Sequence, residues 1–197
     1  MRRWARYSGV AAVLIIWTTL AAATVAAKFD LFGAAPISYL GADSSSAALF
    51  TTGLAASAIL FAVFHQDVRA RFAVSFGFSA AMLIGLAGQL VAAFVPIDGG
   101  PTAHRVHTIS ALVLGGSLPV LMWRFAACQP PGHGRRLSYQ LFWGETLACV
   151  TGIWLSSHAI APLAEILPAM VFHAWVFTVT DWRRSPEVAN AARRGGA

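Results

Sequence analysis

The residues best equipped for chemistry crowd into 96–107, Pro-Ile-Asp-Gly-Gly-Pro-Thr-Ala-His-Arg-Val-His, where Asp98, His104 and His107 sit between two long apolar runs. His104 and His107 are three residues apart, so a helix that begins near Ala103 sets both on one face. The Gly99, Gly100, Pro101 turn lets the Asp98 carboxylate swing back over that helix start, where the helix dipole favours an anion. Carboxylate and neutral imidazole are ordinary zinc ligands, and they also serve as acid and base. With His158 or Glu165 from a neighbouring short loop, these residues are candidates for a divalent metal site or an acid–base pair. HxxH is neither HExxH nor a complete ligand set, however, and helix capping with loop hydrogen bonding accounts for the same residues.

A second constellation is intramembrane. Glu145 falls about two turns inside the fifth apolar run and His173 about two turns from the end of the sixth. Antiparallel neighbours would bring them to similar depth. A charged group there costs at least a few kcal/mol unless paired, hydrated or neutral, so a partner is expected, with structural pairing or proton-linked transport as its purpose.

The elements that must position these groups follow from composition. Of 197 residues, 57% are hydrophobic and only 11% charged, with a mean hydropathy of +0.65, against about a quarter charged in soluble domains. A span needs roughly 20 apolar residues to cross about 30 Å of hydrocarbon. Apolar runs at 8–27, 45–64, 72–95, 106–127, 139–157 and 162–180 meet that length. In hydrocarbon every backbone polar group must be paired internally, so such runs become helices. The expected fold is therefore an all-α integral membrane protein, six transmembrane helices in one bundle over 1–180, followed by a basic tail, 181–197. The run at 8–27 is too long for a signal-peptide core and is expected to remain as the first helix.

Of 14 Lys and Arg residues, all but Lys28 and Arg105 fall on one side of this layout. The positive-inside rule then puts both termini in the cytoplasm, in a cytoplasmic-membrane protein. Trp4, Trp123, Trp143 and Trp182 fit an aromatic belt at that border. The formal charge of +6 is dispersed among loops rather than gathered in a stripe, which argues against a nucleic-acid partner. The outer side receives Asp43, Asp98, His104, His107, His158 and Glu165. Cys128 and Cys149 form no CxxC pair and imply no disulfide framework. Small residues recur every four positions at Gly144, Ala148, Gly152 and Ser156, and at Gly77, Ala81 and Gly85, the spacing of close helix packing or of an oligomer face. Gly115, Gly116 and Pro119 predict a kink in the fourth helix. No phosphate loop, GxSxG elbow, HExxH or dinucleotide fingerprint occurs.

Pro36, Ile37, Ser38, Tyr39, Leu40, Gly41 and Ala42, followed by 44–54 with Phe50 and Gly53, resemble the loop after the first helix in the bacterial family called domain of unknown function 998. Val95, Pro96, Ile97 and Asp98, then His104, resemble that family's second landmark, a Pro-x-Asp turn with a histidine at the head of the fourth helix. More distantly, the Ile-Ser-x-x-Gly loop is similar to eukaryotic multispanning proteins of GPI-anchor lipid remodelling. The resemblance implies the six-helix layout and singles out Asp98 and His104. The leading expectation is an outer polar pocket for a lipid headgroup or other small ligand, contacted by Asp98 and His104 with His107 and Asp43 in support. The alternatives are a metal-dependent membrane hydrolase or transferase using Asp98, His104 and His107, a small proton-linked transporter using Glu145 and His173, and an accessory subunit that docks a partner through its small-residue faces.

Overall fold

The computed structural model describes residues 3–158 and 160–182. The chain runs through α1 (Arg3–Ala27), a short 3-10 helix (Ile37–Gly41), α2 (Ala47–Arg71), α3 (Phe76–Phe94), α4 (Pro101–Cys128), α5 (His133–Ser157) and α6 (Ala161–Asp181). No strand occurs among the described residues. The 181–197 tail lies outside them beyond Trp182. Five of the helices are long and apolar enough to cross a membrane; α5 is as long but less apolar. Large apolar side chains such as Leu14, Ile59, Ile84, Leu112, Leu147 and Ile153 face outward. Those surfaces suit lipid rather than water, and the architecture is that of a helical membrane protein.

Helix ends depart from the apolar runs where local chemistry sets them. Ser75 caps α3, its hydroxyl accepting from Phe78 N–H at 3.2 Å, so α3 starts later than residue 72. Gly100, at φ 95°, turns the chain into Pro101, whose fixed φ suits a first helical position. That starts α4 ahead of residue 106 and places both His104 and His107 inside the helix. At the other border α2 runs on past Phe64 to Arg71, and α5 starts at His133 rather than 139, because a helix continues to satisfy its backbone after the apolar stretch ends. Helix α4 runs without a break through Gly115, Gly116 and Pro119.

Consecutive helices pack as pairs, α1 on α2, α3 on α4 and α5 on α6. Contacts of α2 with α3, α4 with α5 and α1 with α6 close the ring. Phe64, Phe78, Phe125 and Trp175 are fully buried at its centre, with Phe125 and Trp175 edge-to-face at 5.3 Å. Lipid tails offer no hydrophobic drive between helices, so close approach matters more. A Cβ on Gly152 would lie 2.7 Å from the Ala164 carbonyl oxygen, and one on Gly85 2.2 Å from Ser117 Oγ. These two expected small-residue faces are thus used within the chain. Gly88, against the Ser110 carbonyl, and Gly53, against Thr19, do the same work. Pro168, four residues on, has no N–H to offer the Ala164 oxygen that Gly152 approaches.

The end carrying both termini is fastened by arginines. Arg6 Nε donates to the Thr180 carbonyl at 2.7 Å and Arg71 Nη1 to the Val179 carbonyl at 3.2 Å, satisfying last-turn acceptors of α6 and complementing its dipole. Trp4, Trp123 and Trp143 are exposed as a border belt requires. Trp182 differs: it packs on Phe72 and Phe125 against Gly134.

Candidate functional site

At the opposite end, the segment between α1 and α2 folds back over the bundle. Its 3-10 helix buries Ile37, Ser38 and Leu40, and Ile37 and Leu40 join Ala23 and Phe50 in a small apolar cluster. One carboxylate fixes it in place. Ser38 donates its backbone N–H to Glu165 Oε2 at 3.2 Å and its hydroxyl to Oε1 at 3.3 Å. Glu165, one turn into α6, therefore accepts at the otherwise unpaired N–H start of the 3-10 helix, as a capping side chain does.

The turn between α3 and α4 is held by the two histidines. His107 Nδ1 lies 2.7 Å from the Val95 carbonyl and His104 Nδ1 3.1 Å from the Ile97 carbonyl. Carbonyls only accept, so both rings carry the proton on Nδ1. The two residues share a face, as their spacing requires, and that face looks back at the end of α3. His107 is buried and His104 exposed.

Between these two fastened loops lies a cleft of ≈ 300 Å³, lined by Ala27, Phe29, Tyr39, Ala42, Asp43 and Asp98. Asp43 Oδ1 accepts the Ser45 N–H at 2.9 Å and the Ser45 hydroxyl. The Ser45 hydroxyl, then its N–H, holds the Asp43 carboxyl below its ordinary value of 3.8. The Asp67–Arg71 ion pair belongs to the other end of the bundle, and no cation pairs with Asp43 or Asp98 among the described residues. The cleft thus combines two carboxylates, a phenol and an aromatic ring. Such a lining suits a cation more than a phosphate.

Of the residues singled out by sequence, Asp43 and Asp98 meet in this cleft; His104 and His107 do not line it. His158 packs tilted on Trp154, ring centroids 4.2 Å apart, and its Nδ1 faces the Trp154 carbonyl. No group of three or more His, Cys, Asp or Glu stands close enough to hold a metal ion among the described residues.

Glu145 and His173 each have other partners. The Trp17 indole donates to His173 Nδ1 at 3.0 Å, which places that ring's proton on Nε2. Glu145 Oε1 accepts from the Cys149 thiol at 3.7 Å, with the Phe172 backbone against the carboxyl. Their depths match; their directions do not. Val171 faces α5 through Gly144, and His173, two residues on, lies about 200° round the helix, towards α1.

Three features escaped the sequence. Glu165 and Ser38 lie 127 residues apart, with no local pattern to join them. Gln89 of α3, buried, donates to Ser57 Oγ at 2.8 Å and to the Leu54 carbonyl at 2.9 Å; a lone glutamine in an apolar run was the available signal. Nothing in the sequence apart from the resemblance points to Tyr39. Compared with protein-family models, curated proteins and solved structures, the chain matches none.

Proposed function

We propose that this is a six-span protein of the cytoplasmic membrane, termini inside, whose outer cleft binds the cationic amine of a lipid headgroup or of another small ligand. The cleft itself carries the reading: ≈ 300 Å³ between Tyr39, Asp43 and Asp98, with Phe29 and Ala27 beside them. Its volume is at the lower end of small-molecule sites. Asp98 and Asp43 oppose the ligand's charge, and Tyr39 offers an aromatic face. His104 and His107 act through Asp98, by holding the turn that carries it. Helix α5 spans despite its polarity because Glu145 and Ser138 point inward and are buried, leaving Trp143, Leu147, Val150 and Ile153 for lipid. Both segments on which the resemblance to the domain of unknown function 998 family rests, 36–54 and 95–104, border this cleft.

The test is lipid retention. Purified wild type and Asp43→Asn/Asp98→Asn are exchanged against phosphatidylethanolamine, phosphatidylcholine or phosphatidylglycerol, and bound lipid is counted by native mass spectrometry. Selective retention of the amine lipids by wild type, lost in the double variant, supports the reading. Equal retention by both proteins, or preference for phosphatidylglycerol, overturns it.

A further inference from the structure

Helices α5 and α6 keep one register along their seam. Gly134 lies against Trp182, Gly144 against Val171 and Gly152 against Ala164, so numbering falls on one helix as it rises on the other. In that register Ser138 stands level with Thr178, Trp175 with Leu141 and Glu145 with Val171. Two polar atoms on this seam, Ser138 Oγ and Glu145 Oε2, have no hydrogen-bond partner among the described residues, and neither has Nε1 of Trp175, whose ring packs on Phe64, Phe78 and Phe125 at the bundle centre. All three residues are 0% exposed. Ser138 and Glu145 are seven residues apart on one face of α5, about 10 Å along the axis, with Trp175 reaching the level between them from α6.

Buried polar atoms in folded proteins are nearly always bonded, to protein or to ordered water. A 10 Å separation excludes direct bonds from Ser138 to Glu145, whereas internal waters make two to four bonds each and bridge such gaps. An ionisable group inside a span is expensive and marks a proton or ion path when it has no charged partner. The titratable group facing Glu145 from its own helix is Cys149. From α6 it meets the Phe172 backbone, His173 being turned to Trp17. The third helix of this neighbourhood, α4, brings Phe125 onto Trp175 and no charged contact to Glu145.

We infer that the α5–α6 seam holds a short file of water running from Ser138 to Glu145, and that Glu145 is a proton-binding site reached from the end of the bundle that carries the termini. The proton moves between bulk water and the carboxyl along that file, with no other bond made or broken. This site is separate from the cleft and does not depend on it.

Infrared spectroscopy of the protein in liposomes reads it directly. The Glu145 carboxylic C=O band, identified by its loss in Glu145→Gln and its shift in Glu145→Asp, is expected to move within minutes of transfer to D₂O. Ser138→Val and Trp175→Phe are expected to slow that exchange at least tenfold while cleft binding stays near wild type; Ser138→Val also keeps thermal stability near wild type, whereas Trp175→Phe lowers it by opening space in the core. Absence of a Glu145-dependent acid band overturns the proton site. A band that exchanges only over hours, or as quickly in both variants as in wild type, overturns the water file. Should Glu145→Gln fail to fold, the shift in Glu145→Asp still assigns the band.

Discussion

Glu165 and Ser38, 127 residues apart in sequence, meet through two hydrogen bonds, the Ser38 backbone N–H at 3.2 Å and its hydroxyl at 3.3 Å. This contact pins the 3-10 helix, and with it Tyr39 and Asp43, to α6. Such bonds contribute about 0.5–1.5 kcal/mol net, and leaving a buried partner unpaired costs about 1–3 kcal/mol more. Glu165→Ala is therefore expected to lower stability by roughly 2–4 kcal/mol and to make 28–46 sensitive to protease, with Ser38→Ala costing less because the backbone bond survives. Thermal unfolding and limited proteolysis in detergent check both.

Ligand affinity at the cleft is expected to fall about tenfold or more for Asp98→Asn, since a hydrogen-bonded contact to a charged group contributes about 1.5–3 kcal/mol and each 1.4 kcal/mol is about one decade of affinity. Titration with a soluble alkylammonium compound measures it, and Lys28→Gln serves as a nearby control.

The cleft is also expected to respond to acid. Asp43 is held below its ordinary 3.8 by the Ser45 hydroxyl and N–H. A lowered carboxyl stays ionised as pH falls past the usual range, so its attraction for a cation is present above that range and is lost only on titrating through the lowered value. Ser45→Ala removes the first of these donors and should move the acid limit of binding upward.

His107→Ala should destabilise more than His104→Ala. Both lose a bond to the α3–α4 turn, but His107 is 3% exposed, so its removal leaves the Val95 carbonyl without a donor in a buried place. The expected costs are about 1–3 kcal/mol and under about 1 kcal/mol respectively. Thermal unfolding of the two variants ranks them.

Gly152→Ala and Gly144→Ala separate close approach from ordinary packing. A Cβ at 152 meets backbone oxygen at 2.7 Å, whereas at 144 the nearest atom is 3.6 Å away on a side chain. The first substitution must push α6 aside and is expected to cost about 1–3 kcal/mol. The second is expected to be neutral or slightly stabilising, since alanine is the better helix former. Unfolding midpoints in detergent decide between them.

Helix number and the position of each apolar stretch were legible in the sequence, because a run of roughly 20 apolar residues has one backbone solution in hydrocarbon. The small-residue spacing at Gly85 and Gly152 likewise announced close contacts, and the three-residue step from His104 to His107 announced a shared face. A span's length is a local property, which is why it could be read without neighbours. Helix α4 stays continuous through Pro119, as a kinked helix also does, since a proline removes one backbone hydrogen bond without ending the turns on either side.

What no linear pattern held was direction around each helix and the meeting of distant segments. Depth along α5 and α6 was computable from rise per residue, and it matched for Glu145 and His173. Their azimuths were set by which neighbour each helix packs on, and this sent His173 to Trp17 and Glu145 to the α5–α6 seam. The 96–107 stretch shows the same division. Sequence alone determined that Asp98, His104 and His107 stand at a helix mouth. The tertiary structure decided that the histidines spend their Nδ1 protons on backbone carbonyls, and that Asp98 faces Asp43 and Tyr39 across a cleft whose far wall Glu165 keeps in place.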